Sequence, residues 1–209
     1  MEDALGVQEE WLQRWFGRRR GAWLYRRVRG IDDSAVDPHE RRKSISKERT
    51  FSRDIADDHH LEGRLIELAV GVGAVLRRKE FRARTVTVKL RDHDFSTRQH
   101  ARTVPEPIES NAAIVDVACG LLAELREQRR VPARLIGVGV SGLVPASSAH
   151  QLGLFEEAVA GEIERDRDVS RHVDRLADRY GDDVVLPGRL VEERGERRRG
   201  PDGSGRDDR

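Results

Sequence analysis

Metal or acid–base chemistry in this chain would have to come from two acidic clusters. Asp54, Asp57, Asp58, His59 and His60 form the first, and Asp92, His93 and Asp94 the second. Carboxylates and imidazoles this close together suit a divalent ion. Neither cluster has a partner cluster elsewhere in the chain, and each has a plainer reading. The first reads as the acidic start of a helix, where Asp oxygens accept backbone N–H groups and oppose the helix dipole. The second reads as a turn at the end of a strand.

The basic residues point to binding rather than catalysis. In ARTVTVKLRD, residues 83–92, Thr85, Thr87, Lys89 and Arg91 alternate with Val86, Val88 and Leu90. STRQHARTV puts Arg98, His100 and Arg102 on a common face, and RLIGVGVSGL sets Gly137, Gly139 and Ser141 opposite Ile136, Val138 and Val140. Lys and Arg neutralise phosphates, hydroxyls donate to them, and glycines let a polyanion backbone come close. A different kind of contact is offered by QLGLF, residues 151–155. Gln151, Leu152, Leu154 and Phe155 sit between an Ala-Ser-Ser run and a charged tail. They read either as an apolar anchor for a pocket on another protein or as the start of an amphipathic helix continuing through Ala158 and Ile163.

Composition narrows the classes. Lys and Arg total 39 against 38 Asp and Glu in 209 residues. The balance is uneven: 27 basic against 22 acidic residues up to Pro145, then 12 against 16 from Ala146 onward. A mildly basic body with a mildly acidic tail is compatible with a polyanionic partner. Cys119, the one cysteine, lies among Val117, Ala118, Leu121 and Leu122 and reads as a core thiol, so no disulfide framework is expected. No signal-like or membrane-length apolar run occurs, and a soluble, cytoplasmic protein is expected.

The elements that position these residues follow from periodicity. Leu12, Trp15 and Phe16, then Trp23, Leu24 and Val28, predict two short helices over 5–30, with GRRRG (17–21) turning the chain between them. SISKERTFS predicts a strand, although Ile45 and Phe51 share parity with Lys43, Lys47 and Arg49, which a bulge would reconcile. Leu61, Leu65, Leu68, Val72, Val75 and Leu76 form a helical stripe, as do Ile114, Ala118, Leu121 and Leu125. The order is β-α-β-β-α-β, an α+β fold with both helices on one face of a four-stranded sheet and the other face open and polar. That open face shows no aromatic residue on its second or last strand, so backbone contact is favoured over base stacking.

Several stretches together carry a family resemblance. RGID (29–32), RKSISKERTF (42–51), RTVTVKLRDHDFSTRQHARTV (84–104) and RLIGVGVSGL (134–143) resemble the C-terminal part of Y-family DNA polymerases of the bacterial DNA polymerase IV (DinB-like) kind. The resemblance implies partial thumb helices over 1–31, a linker over 32–42 and a DNA-binding little finger domain over 43–145. The tail over 146–209 reads as largely disordered by composition, with a helix at 168–180 expected from the stripe Val169, Val173, Leu176, Ala177 and Tyr180. On the open sheet face Lys43, Lys89, Arg91, Arg98 and Arg102 are expected to contact DNA phosphates, with Ser44 and Ser46 carried over from the family's strand. The resemblance also implies that Gln151, Leu152, Leu154 and Phe155, which match the family's Gln-Leu-x-Leu-Phe peptide, dock on a sliding clamp. The family's catalytic Mg²⁺ is held by palm carboxylates in a region upstream of these motifs, so no cofactor is expected here and the chain alone is expected not to polymerise nucleotides.

The expected partners are duplex or primer–template DNA and the sliding clamp, with no membrane. Two other readings stay open: one half of a split translesion polymerase completed by a separate palm–fingers chain, and an unrelated RNA-binding β-α-β-β-α-β module.

Overall fold

The computed structural model describes residues 5–34, 42–148, 162–181, 184–188 and 190. The chain divides into two compact units, Met1–Arg41 and Arg42–Arg209. In the first, helices α1 (Glu9–Phe16) and α2 (Arg18–Val28) are joined by Gly17 alone, at φ 80. The turn is therefore shorter than the expected 17–21, and Gly21 lies inside α2. A Cβ at Gly21 would stand 2.3 Å from the Gln13 backbone, so the close crossing of the two helices requires glycine. Leu12 is buried, whereas Trp15, Phe16 and Trp23 are more than half exposed.

The second unit runs β1 (Ser44–Ile55), α3 (Asp58–Arg78), β2 (Phe81–Asp92), β3 (Thr97–Ile108), α4 (Asn111–Gln128), β4 (Ala133–Pro145) and α5 (Glu164–Tyr180). The strands form one antiparallel sheet in the order β1-β4-β2-β3. Val86, Val88 and Leu90 of β2 and Ile136, Val138 and Val140 of β4 are buried under the expected stripes, Leu61, Leu65, Val72 and Leu76 of α3 and Ile114, Ala118, Leu121 and Leu125 of α4. Burying such side chains contributes roughly 1.5–3 kcal/mol each, the main term favouring this layer over the extended chain. The α+β class and the single helix-covered face are as the periodicity requires.

β1 explains its own untidy pattern. Ile45 pairs with Val140, Lys47 with Val138 and Arg49 with Ile136, so all three lie on the helix side of the sheet. Because β1 is an edge strand, the long cations reach along α3, where Arg49 donates to Glu67 at 2.6 Å. A register shift does occur, but later, between Thr50 and Ile55.

Both main helices are capped as their sequences dictate. Asp57 accepts from the His60 N–H at 2.8 Å, and Ser110 accepts from Ala113 N–H at 3.2 Å. Asp58 pairs with Arg126 at 2.6 Å and Asp54 stands 3.6 Å from Arg134. The first acidic cluster is thus occupied in capping and ion pairing.

Helix α5 begins four residues before the expected 168 and is docked on the domain. Arg77 forks onto both Asp174 oxygens at 2.6 and 2.7 Å, Arg171 reaches Glu109 at 2.6 Å, and Asn111 N–H donates to Ser170 Oγ at 2.9 Å. Just before the helix, Glu162 accepts from the backbone N–H groups of Glu109, at 2.9 Å, and Ser110. Burial by itself would push the Glu162 carboxyl up. Hydrogen bonds from Ser110, from the Glu109 and Ser110 backbone and from Arg167 outweigh it and hold the group below its ordinary value. A depressed carboxyl stabilises the folded state above its unfolded pKa, about 4.3, and that contribution is lost as pH falls through the lower folded value. Hydrogen exchange over residues 162–180 should therefore be protected at neutral pH and lose protection below about pH 4, before the sheet does. Equal loss in the sheet at the same pH would contradict this role of Glu162.

Candidate nucleic-acid interface

The register sets out the open face as four rows running β1-β4-β2-β3. Ser44, Ser141, Thr85 and Thr103 form the first, and Ser46, Gly139, Thr87 and Ala101 the second. Glu48, Gly137, Lys89 and Gln99 form the third, and Thr50, Leu135, Arg91 and Thr97 the fourth. Hydroxyls dominate, and Thr85 and Thr103 share a hydrogen bond of 2.9 Å across β2 and β3. Gly137 has a specific task. A Cβ there would lie 2.7 Å from Glu48 Cγ, in the gap over which Lys89 Nζ reaches Glu48 at 3.0 and 3.1 Å. Arg91 is aimed by a 2.9 Å bond from Nε to Thr97 Oγ1.

Of the seven residues expected to meet phosphate, Ser44, Ser46, Lys89 and Arg91 lie on this face, and Lys43 immediately precedes its first row. Arg98 and Arg102 do not. Arg98 pairs with Leu90 and Arg102 with Val86, which turns both, with His100, to the helix side. Arg98 donates to Asp92 at 3.0 and 3.2 Å and to the α4 C-terminal carbonyl of Leu125 at 2.5 Å. Arg102 pairs with Glu124, which also stands 3.2 Å from His100. These cations neutralise the protein's own acidic groups and the negative end of α4.

Sequence reasoning missed Glu48, Thr50, Thr97, Gln99, Ala101, Thr103 and Leu135 on this face. Glu48 and Thr50 were accessible by simple continuation of the Ser44, Ser46 parity. Leu135, 7% exposed, has no such polar signal.

The end of the face is fixed by a second network. Asp92, wholly buried, accepts from Arg98, from Arg129 at 2.9 Å and from Ser96 Oγ at 3.3 Å. Asp94 accepts from Arg129 at 2.7 Å and from Ser96 Oγ and N–H, which hold its carboxyl well below the usual carboxylate range. Asp92, His93 and Asp94 are thus the expected turn. Among the described residues, no three His, Cys, Asp or Glu side chains assemble to hold a metal ion, and no helix is long and apolar enough to cross a membrane. Gln151, Leu152, Leu154 and Phe155 lie outside the described residues.

A four-stranded antiparallel sheet, covered by two helices on one side and open and hydroxyl-rich on the other, defines a little finger type of domain. The chain belongs to the impB/mucB/samB family: residues 42–154 match its C-terminal domain, the little finger of DinB-like Y-family polymerases. Curated relatives named DNA polymerase IV agree. The one from Staphylococcus saprophyticus is 35% identical over 146 residues, 70% of this chain and 40% of the relative. That from Desulfatibacillum aliphaticivorans is 32% identical over 191 residues, 91% and 47% of the two chains. That from Methanoculleus marisnigri is 43% identical over 125 residues, 60% and 34%. The chain thus spans less than half the length of these relatives. Among solved structures, a Y-family DNA polymerase chimera has the same fold, with TM-score 0.50 and 19% identity, over 68% of this chain and 40% of that one.

Proposed function

We propose that the domain lies along primer–template DNA, its open sheet face against the sugar–phosphate backbone, as the DNA-holding part of a translesion polymerase. In the same reading, QLGLF tethers it to a sliding clamp. The observation that carries the DNA reading is the four-row face: hydroxyls of Ser44, Ser46, Thr85 and Thr87 around glycines, with Lys89 and Arg91 projecting from β2. Such a surface donates to phosphates without reading bases, so binding is sequence-independent. Lys43, next to the first row, is assigned to the same contact. The relatives' name supports the polymerase setting.

Duplex binding measured between about 50 and 200 mM salt tests this. With about three cations engaged, log K should fall against log [salt] with a slope near −2 to −3. Lys89→Ala with Arg91→Ala should flatten the slope by roughly 2. Arg98→Ala with Arg102→Ala should leave it nearly unchanged, since those guanidinium groups face α4. A slope near zero for the unaltered chain would refute the DNA reading, and an effect confined to the β3 pair would refute the assignment of faces.

A further inference from the structure

The β2–β3 connection carries a residue that its backbone disfavours. The loop is His93, Asp94 and Phe95, closed by Phe95 N–H to Asp92 O at 3.0 Å and Asp92 N–H to Ser96 O at 2.9 Å. This is the three-residue hairpin whose third position is left-handed and usually glycine. Phe95 occupies it at φ 66. The residue is 64% exposed. An aromatic at a strained position, facing solvent, gains nothing from the domain's core.

The surroundings hold it rigidly and add charge. Asp92 and Asp94, bonded to Arg98, Arg129 and Ser96, fix the loop from the helix side. On β4, Arg134 falls at the register shift between the Arg91–Leu135 and Asp92–Ala133 pairs, and its guanidinium sits 4.8 Å from the Phe95 ring centroid. The loop connects Arg91 to Thr97, the last row of the open face.

We propose that Phe95, steadied by Arg134, is a stacking platform for an unstacked base where a duplex on the open face gives way to single strand. The inference deepens the DNA reading above and rests on it. A ring at the end of the sheet cannot stack on bases inside a duplex, whose faces are covered by their neighbours. An unpaired base beyond the duplex offers a free face, and aromatic stacking tolerates any sequence. Arg91 supplies positive charge for the adjoining phosphate, Arg134 being balanced by Asp54 at 3.6 Å.

The test compares the full chain's affinity for a blunt duplex and for the same duplex with a single-stranded 5′ extension, the first unpaired base being 2-aminopurine. The unaltered chain should bind the extended DNA roughly 5- to 150-fold more tightly and quench the probe, the range one stacked base contributes. Phe95→Gly should remove that preference and the quenching, leave blunt-duplex affinity unchanged, and keep or raise the melting temperature, because glycine suits the left-handed site. Phe95→Trp should retain the preference. An unchanged preference in Phe95→Gly would overturn the inference while leaving the DNA reading intact. So would a marked fall in melting temperature for both Phe95→Gly and Phe95→Asn, which would make the ring structural. Failure of the unaltered chain to bind either DNA would overturn both.

Discussion

Asp92→Ala should be among the most damaging single substitutions in the domain, lowering stability by about 3–5 kcal/mol. The Asp92 side chain is fully buried and is the common acceptor for Arg98, Arg129 and Ser96. Removing it leaves the Arg98 side chain, 19% exposed, facing Arg129 without the carboxylate that offsets both. Breaking one side of a buried pair costs more than the pair contributes, because the remaining charge stays desolvated. For a domain of this size the loss corresponds to a melting temperature lower by roughly 10–15 °C. Asp92→Asn should fall between the two, since the amide oxygen still accepts one bond but the charge is gone. Thermal melts of the three chains decide it. A change under about 1 kcal/mol for Asp92→Ala would mean the arginines reach water or other acceptors easily.

The same residues show why the fold was legible and the faces only partly so. In β2 the alternation of Val86, Val88 and Leu90 with Thr85, Thr87, Lys89 and Arg91 separates apolar from polar, and burial follows it residue by residue. β3 alternates just as regularly, but neither of its faces is apolar from Thr97 to Thr103. Period-two patterning then says which residues share a face and not which face they share. Arg98, His100 and Arg102 sit over the helices because Asp92, Glu124 and the last carbonyls of α4 receive them. Those acceptors lie up to 31 residues away in sequence, where local pattern carries no signal.

A similar limit applies to α5. Its stripe of Val169, Val173 and Leu176 predicted the helix. The contacts that dock it come instead from its polar side, through Ser170, Arg171 and Asp174 to Asn111, Glu109 and Arg77. Periodicity placed the order of helices and strands correctly, and the family resemblance, which rests on four stretches in sequence order, agrees with the fold. Arg98 and Arg102 entered the expected DNA contact by alternation and charge alone. Register puts both on the helix side, and it leaves an open face with fewer cations and more hydroxyls than alternation alone suggested.

The second large effect concerns residues 151–155. Changing Leu154 and Phe155 together to Ala in the full chain should weaken binding to the cognate sliding clamp by several hundred-fold. An anchored peptide of this kind binds in the micromolar range, about −8 kcal/mol, because ordering a segment on docking offsets part of the contact energy. Two buried apolar anchors at about 2 kcal/mol each carry half of that total. Gln151→Ala should cost less, about 1 kcal/mol, as a neutral hydrogen bond does. The decisive comparison is with stability. If these side chains serve the clamp, the double change leaves the melting temperature of the Arg42–Arg209 unit within about 1 °C, since a surface substitution away from caps and core stays within about 0.5 kcal/mol. If they pack on this protein, the melting temperature falls and clamp affinity holds. A synthetic peptide of residues 146–158 binding the clamp with the full chain's affinity would place the whole contact in that segment. Clamp binding that survives the double change would assign the tether to some other surface of the domain.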